Sequence, residues 1–327
     1  MMFIMPVSAS GSDVLVGRVI IIDPGHGDDT ANYYLGYNEP VIMLKLAEII
    51  KALLEEHGAT VHLTRTDSVN VPLSTRIALT NIWSLELLRE IKTKNTNDIE
   101  NIAGVLDDIA ESIKIMHKII SNPRDFASVY FNTPFARPKK IHPDLLRIFE
   151  LQSNPDLGDR IMLISLHSNA TGTPINPNVR GADVFHVSNT LRELTGYYTD
   201  YSHYLQSMDF GDILLDHIHE TGIRRRSVSH ANYFMLREHN IPAVLVENGY
   251  HTNPRDRANL MNDEYLHKLA HAYLEAIMAF YANKPLSSVS PELLSPESIS
   301  PEIIDSIYDR IQPDLRNPVF RINFRYQ

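Results

Sequence analysis

Three apolar runs of this chain each end in a residue that can bind a metal ion or transfer a proton. The runs lead to His26 in IIIDPGHG, to His167 in LISLHSNA and to Glu247 in VLVENG. In open α/β sheets, ligands bind in the crevice beyond the carboxyl ends of the strands, so this shared placement indicates a functional site. A single histidine at a strand end is more often structural, and the inference therefore depends on the residues acting together.

The composition narrows the chemistry that such a site can use. The chain has 327 residues, no cysteine and a formal net charge of -10. Disulfides, thiolate nucleophiles and cysteine zinc sites are therefore excluded, and a metal would need His, Asp or Glu ligands. The negative charge argues against nucleic acid as a partner, and no apolar run reaches the roughly 18 residues of a membrane span. The start, MMFIMPVSASGSDVLVGR, lacks a basic segment and predicts no clear signal peptide, which leaves the export route open.

Alternating strand and helix patterns must position these side chains. Residues 18–27 and 59–65 are predicted strands that flank an amphipathic helix, which Pro40 begins and Gly58 ends. This alternation predicts an α/β fold with a mostly parallel twisted sheet, covered by helices on both faces. Further strands are predicted over 160–170, 181–187 and 241–253, and further helices around 197–221 and over 263–282.

A helical insertion is predicted over residues 82–160. The stretch 132–146, NTPFARPKKIHPDLL, is interpreted as a loop within it. The insertion is interpreted as a helical hairpin packed on the core; the alternative is a lid or inhibitory element on which a regulatory partner acts. Its main helix is indicated by a heptad-like apolar seam: Ile99, Ile102, Leu106, Ile109, Ile113, Met116 and Ile120.

The chain is divided into an N-terminal segment, 1–17, a main domain, 18–284, and a C-terminal extension, 285–327. In the extension, SPE recurs at Ser290, Ser295 and Ser300, a pattern typical of a linker or of short capped turns. The last residues, FRINFRYQ, alternate apolar and polar side chains and predict a strand. We favour a strand that completes the domain's own sheet over one that adds to a partner's sheet.

Five motifs in order resemble the zinc-dependent N-acetylmuramoyl-L-alanine amidases of the amidase-3 type, which cleave peptidoglycan. They are IIIDPGHG, GYNEP, VHLTR followed by VPLSTRIALTN, SLHSNA and IPAVLVENGYHTN. The similarity covers about residues 18–81 and 161–282, so residues 18–284 are interpreted as the amidase catalytic domain. Asp28, Asn248 and the tyrosines before Glu39 differ from the family's usual residues, which leaves the substrate preference open.

By this resemblance, His26, Glu39 and His167 are the ligands of one zinc ion, and Glu247 is the catalytic carboxylate. Such a set suits a catalytic zinc, which takes three His or carboxylate ligands and keeps one position for water. The implied reaction is hydrolysis of the amide bond between N-acetylmuramic acid and L-alanine, with Glu247 transferring the protons. The implied partner is the stem peptide and glycan of peptidoglycan, at the cell wall outside the cytoplasm.

Other interpretations of these residues stay open. Glu39 could be an ordinary anion at a helix N-terminus, where the helix dipole favours negative charge. Gly25 and Gly27 would leave room beside His26 for a sharp turn and for an approaching substrate. The basic residues 224–226 could bind stem-peptide carboxylates or form a solvated loop. The whole protein could instead be a zinc hydrolase of another amide, or a peptidoglycan-binding module without activity.

Overall fold

Strands and helices alternate through the residues that the computed structural model describes, which are 14–27, 33–94, 102–132, 139–198, 200–282, 284 and 286. The strands are β1 (Val19–Pro24), β2 (Tyr33–Tyr34), β3 (Tyr37–Asn38), β4 (Thr60–Leu63), β5 (Ile161–Asn169), β6 (Ala182–His186), β7 (Arg225–His230) and β8 (Ala243–Tyr250). The helices are α1 (Glu39–Glu56), α2 (Leu73–Lys94), α3 (Ala103–Ser121), α4 (Pro123–Tyr130), α5 (Pro143–Gln152), α6 (Pro155–Gly158), α7 (Tyr204–Glu220), α8 (Phe234–Arg237), α9 (Pro254–Leu260) and α10 (Asp263–Ala282).

Six of these strands form one sheet, in the order β4-β1-β5-β8-β6-β7. β1 is parallel to β4 and β5, β5 is parallel to β8, and β6 runs antiparallel to β8 while pairing in parallel with β7. The predicted mostly parallel α/β fold is therefore confirmed. Because β1, β5 and β8 are parallel neighbours, the residues at their carboxyl ends meet at one place, which we call the carboxyl edge.

Side chains of the central strands alternate between two cores, one on each face of the sheet. On β1, Val19 and Ile21 belong to one core, and Ile20 and Ile22 belong to the other. Residues of α2, α3 and α5 fill the first core, and residues of α1, α7 and α10 fill the second. Two-sided burial explains why these strands are continuous apolar runs, and it confirms the predicted helices on both faces.

The main helix of the predicted insertion packs into the first core. α3 contacts α2 and α5, and its seam residues Ile109 and Met116 are fully buried. Ile99, at the start of the predicted seam, lies outside the described residues. α2 runs without a break through residue 82, so the predicted insertion begins in the middle of a helix. The division of the chain into domains stays a prediction.

One loop interpretation is wrong for its last four residues, and another is wrong for Arg225 and Arg226. The stretch 132–146 contains the first turn of α5, which begins at Pro143 with the His142 side chain accepting a hydrogen bond from the Asp144 amide. Of residues 224–226, for which a solvated loop was one alternative, Arg225 and Arg226 begin the edge strand β7. β7 has mostly solvent-facing polar side chains and lacks the apolar alternation that indicates a strand.

Several predictions fall on residues that the structure does not describe. Most of the N-terminal segment, Asp28, the SPE tract and the predicted strand FRINFRYQ lie outside the described ranges. Among the helices in those ranges, none is long and apolar enough to cross a bilayer.

Candidate metal centre

The turn after β1 positions His26 through its own backbone. His26 has a φ of 60°, in the left-handed region that non-glycine residues seldom occupy. A Cβ atom on Gly25 would lie 2.4 Å from the ring of His167, and one on Gly27 would lie 2.2 Å from the Cα of Asn70. The two glycines therefore make room for the protein's own atoms. The left-handed residue of the sharp turn is His26 itself, and the space expected for a substrate stays a prediction.

The β2–β3 hairpin brings Glu39 to the carboxyl edge. Tyr37 of β3 is fully buried, and its ring stacks on the ring of His251 with the centroids 5.1 Å apart. Its hydroxyl donates to Ser168 Oγ at 2.8 Å, and the Ser168 amide donates to Glu39 Oε1 at 2.8 Å. Glu39 is the first residue of α1 and is only 1% exposed. β5, the strand that carries His167, therefore also orients the carboxylate of Glu39.

The structure brings His26, Glu39 and His167 together in what we call the donor triangle. His26 Nε2 lies 3.1 Å from His167 Nδ1, and Glu39 Oε1 lies 3.4 Å from the first nitrogen and 3.3 Å from the second. Ligands at about 2.0–2.1 Å from a tetrahedral zinc ion lie about 3.3 Å from one another. The donor triangle therefore has the size and the chemistry that a zinc ion requires.

A second group of possible ligands lies on the surface of α7 and α10. His217 Nδ1 is 3.9 Å from a carboxylate oxygen of Glu220 and 3.7 Å from one of Glu275. The two glutamate side chains are 73% and 62% exposed. These separations are wider than those of the donor triangle, which is the better metal site of the two groups.

Glu247 lies beside the donor triangle. It is the register partner of His167 across the β5–β8 pair. Its Oε2 atom is shielded from solvent and has no hydrogen-bond partner among the described residues. Burial raises the pKa of Glu247 to about 8; His167 opposes this shift, while Glu39 and Asp183 add to it. A buried carboxylate oxygen without a partner is costly, and here it leaves an acceptor available at the site.

Glu39 and Glu247 have opposite electrostatic environments, although Glu39 and the Oε2 atom of Glu247 are both shielded from solvent. Burial alone would raise the pKa of Glu39, but His26 and His167 hold that pKa well below its usual range. Glu39 is therefore an anion, as a metal ligand must be, whereas Glu247 readily takes up a proton.

Asn248, one of the departures from the family pattern, has a structural reason. It is fully buried, and its Nδ2 donates to the carbonyl of His167 at 3.2 Å. Its Oδ1 accepts a hydrogen bond from the Tyr273 hydroxyl at 2.8 Å. The amide therefore ties β8 to β5 and to α10 at the position of a metal-ligand candidate.

The arginines that precede β8 are paired with acids. Arg225 donates to Asp212 at 2.7 Å and to Asp216 at 2.5 Å, and Arg226 donates to Asp183 at 2.7 Å. Asp183 is the register partner of Glu247 across the β6–β8 pair, so Arg226 lies near the carboxyl edge. A role for these arginines in holding stem-peptide carboxylates stays a prediction.

Sequence reasoning missed three buried charged residues next to the His26 turn. Asp23, Arg65 and Arg76 are each at most 1% exposed. Arg76 Nη1 lies 3.0 Å from Asp23 Oδ1, and Ser165 donates to Asp23 Oδ2 at 2.6 Å. For Asp23 and Arg65 the available signal was a charged residue inside or shortly after an apolar strand, since a buried charge needs partners; Arg76, on α2, had no such signal.

Comparison with known proteins agrees with this arrangement of motifs. The family model described as N-acetylmuramoyl-L-alanine amidase, Amidase_3, matches residues 20–97 and 156–279. N-acetylmuramoyl-L-alanine amidase AmiA of Escherichia coli (strain K12) is 22% identical over 267 residues, which are 81% of this chain and 76% of AmiA. The probable cell wall amidase LytH of Staphylococcus aureus is 42% identical over 66 residues, 19% of this chain and 23% of LytH. The solved structure of N-acetylmuramoyl-L-alanine amidase AmiC2 of Nostoc punctiforme aligns with a TM-score of 0.48 at 19% identity, covering 81% of this chain and 97% of that chain.

Proposed function

Because this chain belongs to the N-acetylmuramoyl-L-alanine amidase family, Amidase_3, we propose that the donor triangle binds one zinc ion and that Glu247 transfers the protons. The enzyme hydrolyses the amide bond between N-acetylmuramic acid and L-alanine in peptidoglycan. The observation that carries the proposed site is the spacing of His26, Glu39 and His167, whose donor atoms lie 3.1 to 3.4 Å apart.

The donor set fits zinc in charge as well as in spacing. Two imidazoles and one carboxylate satisfy three positions of a catalytic zinc and leave a fourth for water. When bound there, zinc supplies Lewis-acid chemistry, because it makes water more acidic and polarises a carbonyl group. Glu39 contributes the negative charge of the set, and the Ser168 amide at 2.8 Å holds its Oε1 in place.

Glu247 moves the proton in both halves of the reaction. As the water oxygen bonds to the lactyl carbonyl carbon, Glu247 accepts the proton that this oxygen loses. As the bond from that carbon to the L-alanine nitrogen breaks, Glu247 gives the proton to the nitrogen. The products are a free carboxyl group on the muramic acid and a stem peptide with a free amine. The lack of a partner for Glu247 Oε2 among the described residues supports this role.

The substrate sets the place of action and the partners. Peptidoglycan lies outside the cytoplasmic membrane, so the enzyme acts at the cell wall, on the stem peptide and glycan. We also propose that a regulatory partner acts on residues 82–160. Residues 82–160 include α3, which is part of the first core. A partner that displaced α3 would expose the buried Ile109 and Met116.

The test is a digestion of purified peptidoglycan, followed by mass spectrometry of the fragments. The zinc-loaded chain is expected to release stem peptides that begin with L-alanine. EDTA should abolish their release and added zinc should restore it, and Glu247→Gln should release none above background. Hydrolysis only of some other amide would favour a different substrate. Sedimentation with cell walls without any released peptide would favour a non-catalytic binding module.

A further inference from the structure

We propose that Arg65 and Arg76 are positioning residues that hold the His26 turn in the conformation that places its imidazole in the donor triangle. The inference rests on the proposed zinc site and adds two residues that do not touch the metal or the substrate. Both side chains are fully buried, at 0% and 1% exposure. Each guanidinium group donates several hydrogen bonds to main-chain carbonyls of the turn.

Arg65 connects the segments that carry two of the three ligands. Its Nε donates to the carbonyl of Pro24 at 2.8 Å, and its Nη2 donates to the carbonyl of Gly25 at 2.9 Å. The same Nη2 donates to the carbonyl of Pro40 at 2.7 Å. Gly25 directly precedes His26, and Pro40 directly follows Glu39. A single planar group therefore fixes the distance between the two ligand-bearing segments.

Arg76, on α2, donates hydrogen bonds to the same turn. Its Nη1 donates to the carbonyl of Pro24 at 2.8 Å and to Asp23 Oδ1 at 3.0 Å. Its Nη2 donates to the carbonyl of His26 itself, and its Nε donates to the carbonyl of Val71 at 2.8 Å. The carbonyls of residues 24, 25 and 26 are thus all bonded to one or both of these arginines.

The backbone of His26 explains why the turn needs such support. A left-handed conformation is unfavourable for a non-glycine residue and persists only where the surroundings hold it. Buried carbonyls without partners would add a further cost. Lysine cannot replace these contacts, because its ammonium group lacks the rigid fork that reaches several acceptors at once. Without the arginines, we expect the turn to relax and the imidazole to leave the donor triangle.

The amide of Gly25 completes the arrangement. It donates to the carbonyl of Leu166 at 2.8 Å, and Leu166 directly precedes His167 on β5. The turn is therefore bonded through its amide to the strand of the third ligand, and through its carbonyls to Arg65 and Arg76. These hydrogen bonds join the segments that carry His26, Glu39 and His167, so they constrain the positions of all three ligands.

The experiment measures zinc affinity of the full chain by competition with a chromogenic chelator. Arg65→Lys and Arg76→Lys are each expected to weaken zinc binding about 10–100-fold, the usual effect of losing a group that orients a ligand. The visible spectrum of the cobalt-substituted chain should change in both variants, because it reports on ligand geometry independently of activity.

Arg18→Lys is the matched control. Arg18 is 2% exposed, lies just before β1 at the opposite end of the sheet, and donates to the carbonyls of Asp159 and Lys284. Its replacement should lower the melting temperature by an amount similar to the other two variants. It should leave the zinc affinity and the cobalt spectrum unchanged.

Folded Arg65→Lys and Arg76→Lys chains that bind zinc as tightly as the unmutated chain would overturn the inference. If neither variant folds, hydrogen exchange of the unmutated, zinc-free chain tests the inference instead. A protected Nε–H group of Arg65, which donates to the carbonyl of Pro24, would support the inference. Exchange of this group as fast as that of exposed arginines, with the sheet amides protected, would refute it. If the unmutated chain itself binds no zinc, the proposed site has failed, which is a separate result.

Discussion

The carboxyl edge of the sheet and the α3-covered face beside it are stabilised in different ways. On the face, α3 packs through repeated apolar contacts, with Ile109 and Met116 fully buried in a large core. At the edge, the side chains that matter come from separate segments, and Glu39 accepts a hydrogen bond from the backbone amide of Ser168. These side chains are His26, Glu39, His167 and Glu247.

Because of this difference, mutations at the carboxyl edge and on the α3-covered face should have different consequences. Apolar packing is spread over many side chains, so a change there should lower stability and leave the chemistry intact. The carboxyl edge has few side-chain atoms that can act in the chemistry. One of them, Glu247 Oε2, has no hydrogen-bond partner among the described residues. A change there should stop the reaction and leave stability nearly intact.

The largest expected effect is that of Glu247→Gln. We expect kcat for peptidoglycan to fall about 10²–10⁴-fold, the range that a lost proton-transfer group produces. The free energy of unfolding should not fall, because Glu247 Oε2 has no hydrogen-bond partner among the described residues to lose. Glu264→Gln, an exposed change on α10, is the control for both measurements. Loss of stability together with activity would mean that Glu247 is structural.

Ile109→Ala should have the reverse effect. Truncating a fully buried isoleucine is expected to lower the free energy of unfolding by about 2–5 kcal/mol. The kcat of the remaining folded protein should not change. Urea denaturation of Ile109→Ala and of Leu214→Ala, its counterpart in the second core, tests whether both faces unfold in one transition. A separate transition for Ile109→Ala would show that α3 is not part of the cooperative unit.

A smaller effect is expected from His239, which is buried away from the donor triangle. Burial lowers the pKa of His239 to about 4, and its Nε2 lies 2.8 Å from the carbonyl of Met235. Between pH 6.5 and 4 the unfolded chain therefore binds a proton that the folded chain does not, so stability falls as the pH falls. At about 1.4 kcal/mol per pH unit, the loss approaches about 3 kcal/mol at pH 4.

Denaturation at several pH values checks this expectation. The stability of His239→Gln should depend less on pH between 6.5 and 4 than that of the unmutated chain. His219→Gln, on the exposed face of α7, should leave the pH dependence unaltered. Equal pH dependence in all three chains would remove His239 as a cause.

The sequence was sufficient to predict the strands that carry the site. β1, β5 and β8 are buried on both faces, so each is an unbroken apolar run that is easily recognised. The apolar runs of β5 and β8 end shortly before the strands themselves end at Asn169 and Tyr250. The ends of the three runs nevertheless placed His26, His167 and Glu247 at one edge. The family resemblance supplied Glu39, because a glutamate before a proline at a helix start has an ordinary explanation of its own.

Other features of the structure depend on contacts that a local sequence pattern cannot indicate. β7 is a polar edge strand, and it forms a strand because it pairs with the open edge of β6. His26 has a left-handed backbone, and Arg65 donates hydrogen bonds to the turn that contains it. Both features require contact between segments that are about 40 residues apart in the chain. The close approach of His167 to Gly25 and of Asn70 to Gly27 likewise depends on segments that are distant in the chain.

That two imidazoles and one carboxylate share one zinc ion is tested most directly by the zinc content of purified chains after equilibrium dialysis. We expect one zinc ion per chain in the unmutated protein and in Glu247→Gln. His26→Ala, Glu39→Gln and His167→Ala should each retain far less than one zinc ion at the same free zinc concentration. Full zinc occupancy in His167→Ala, with unmutated affinity, would contradict the donor triangle as the metal site.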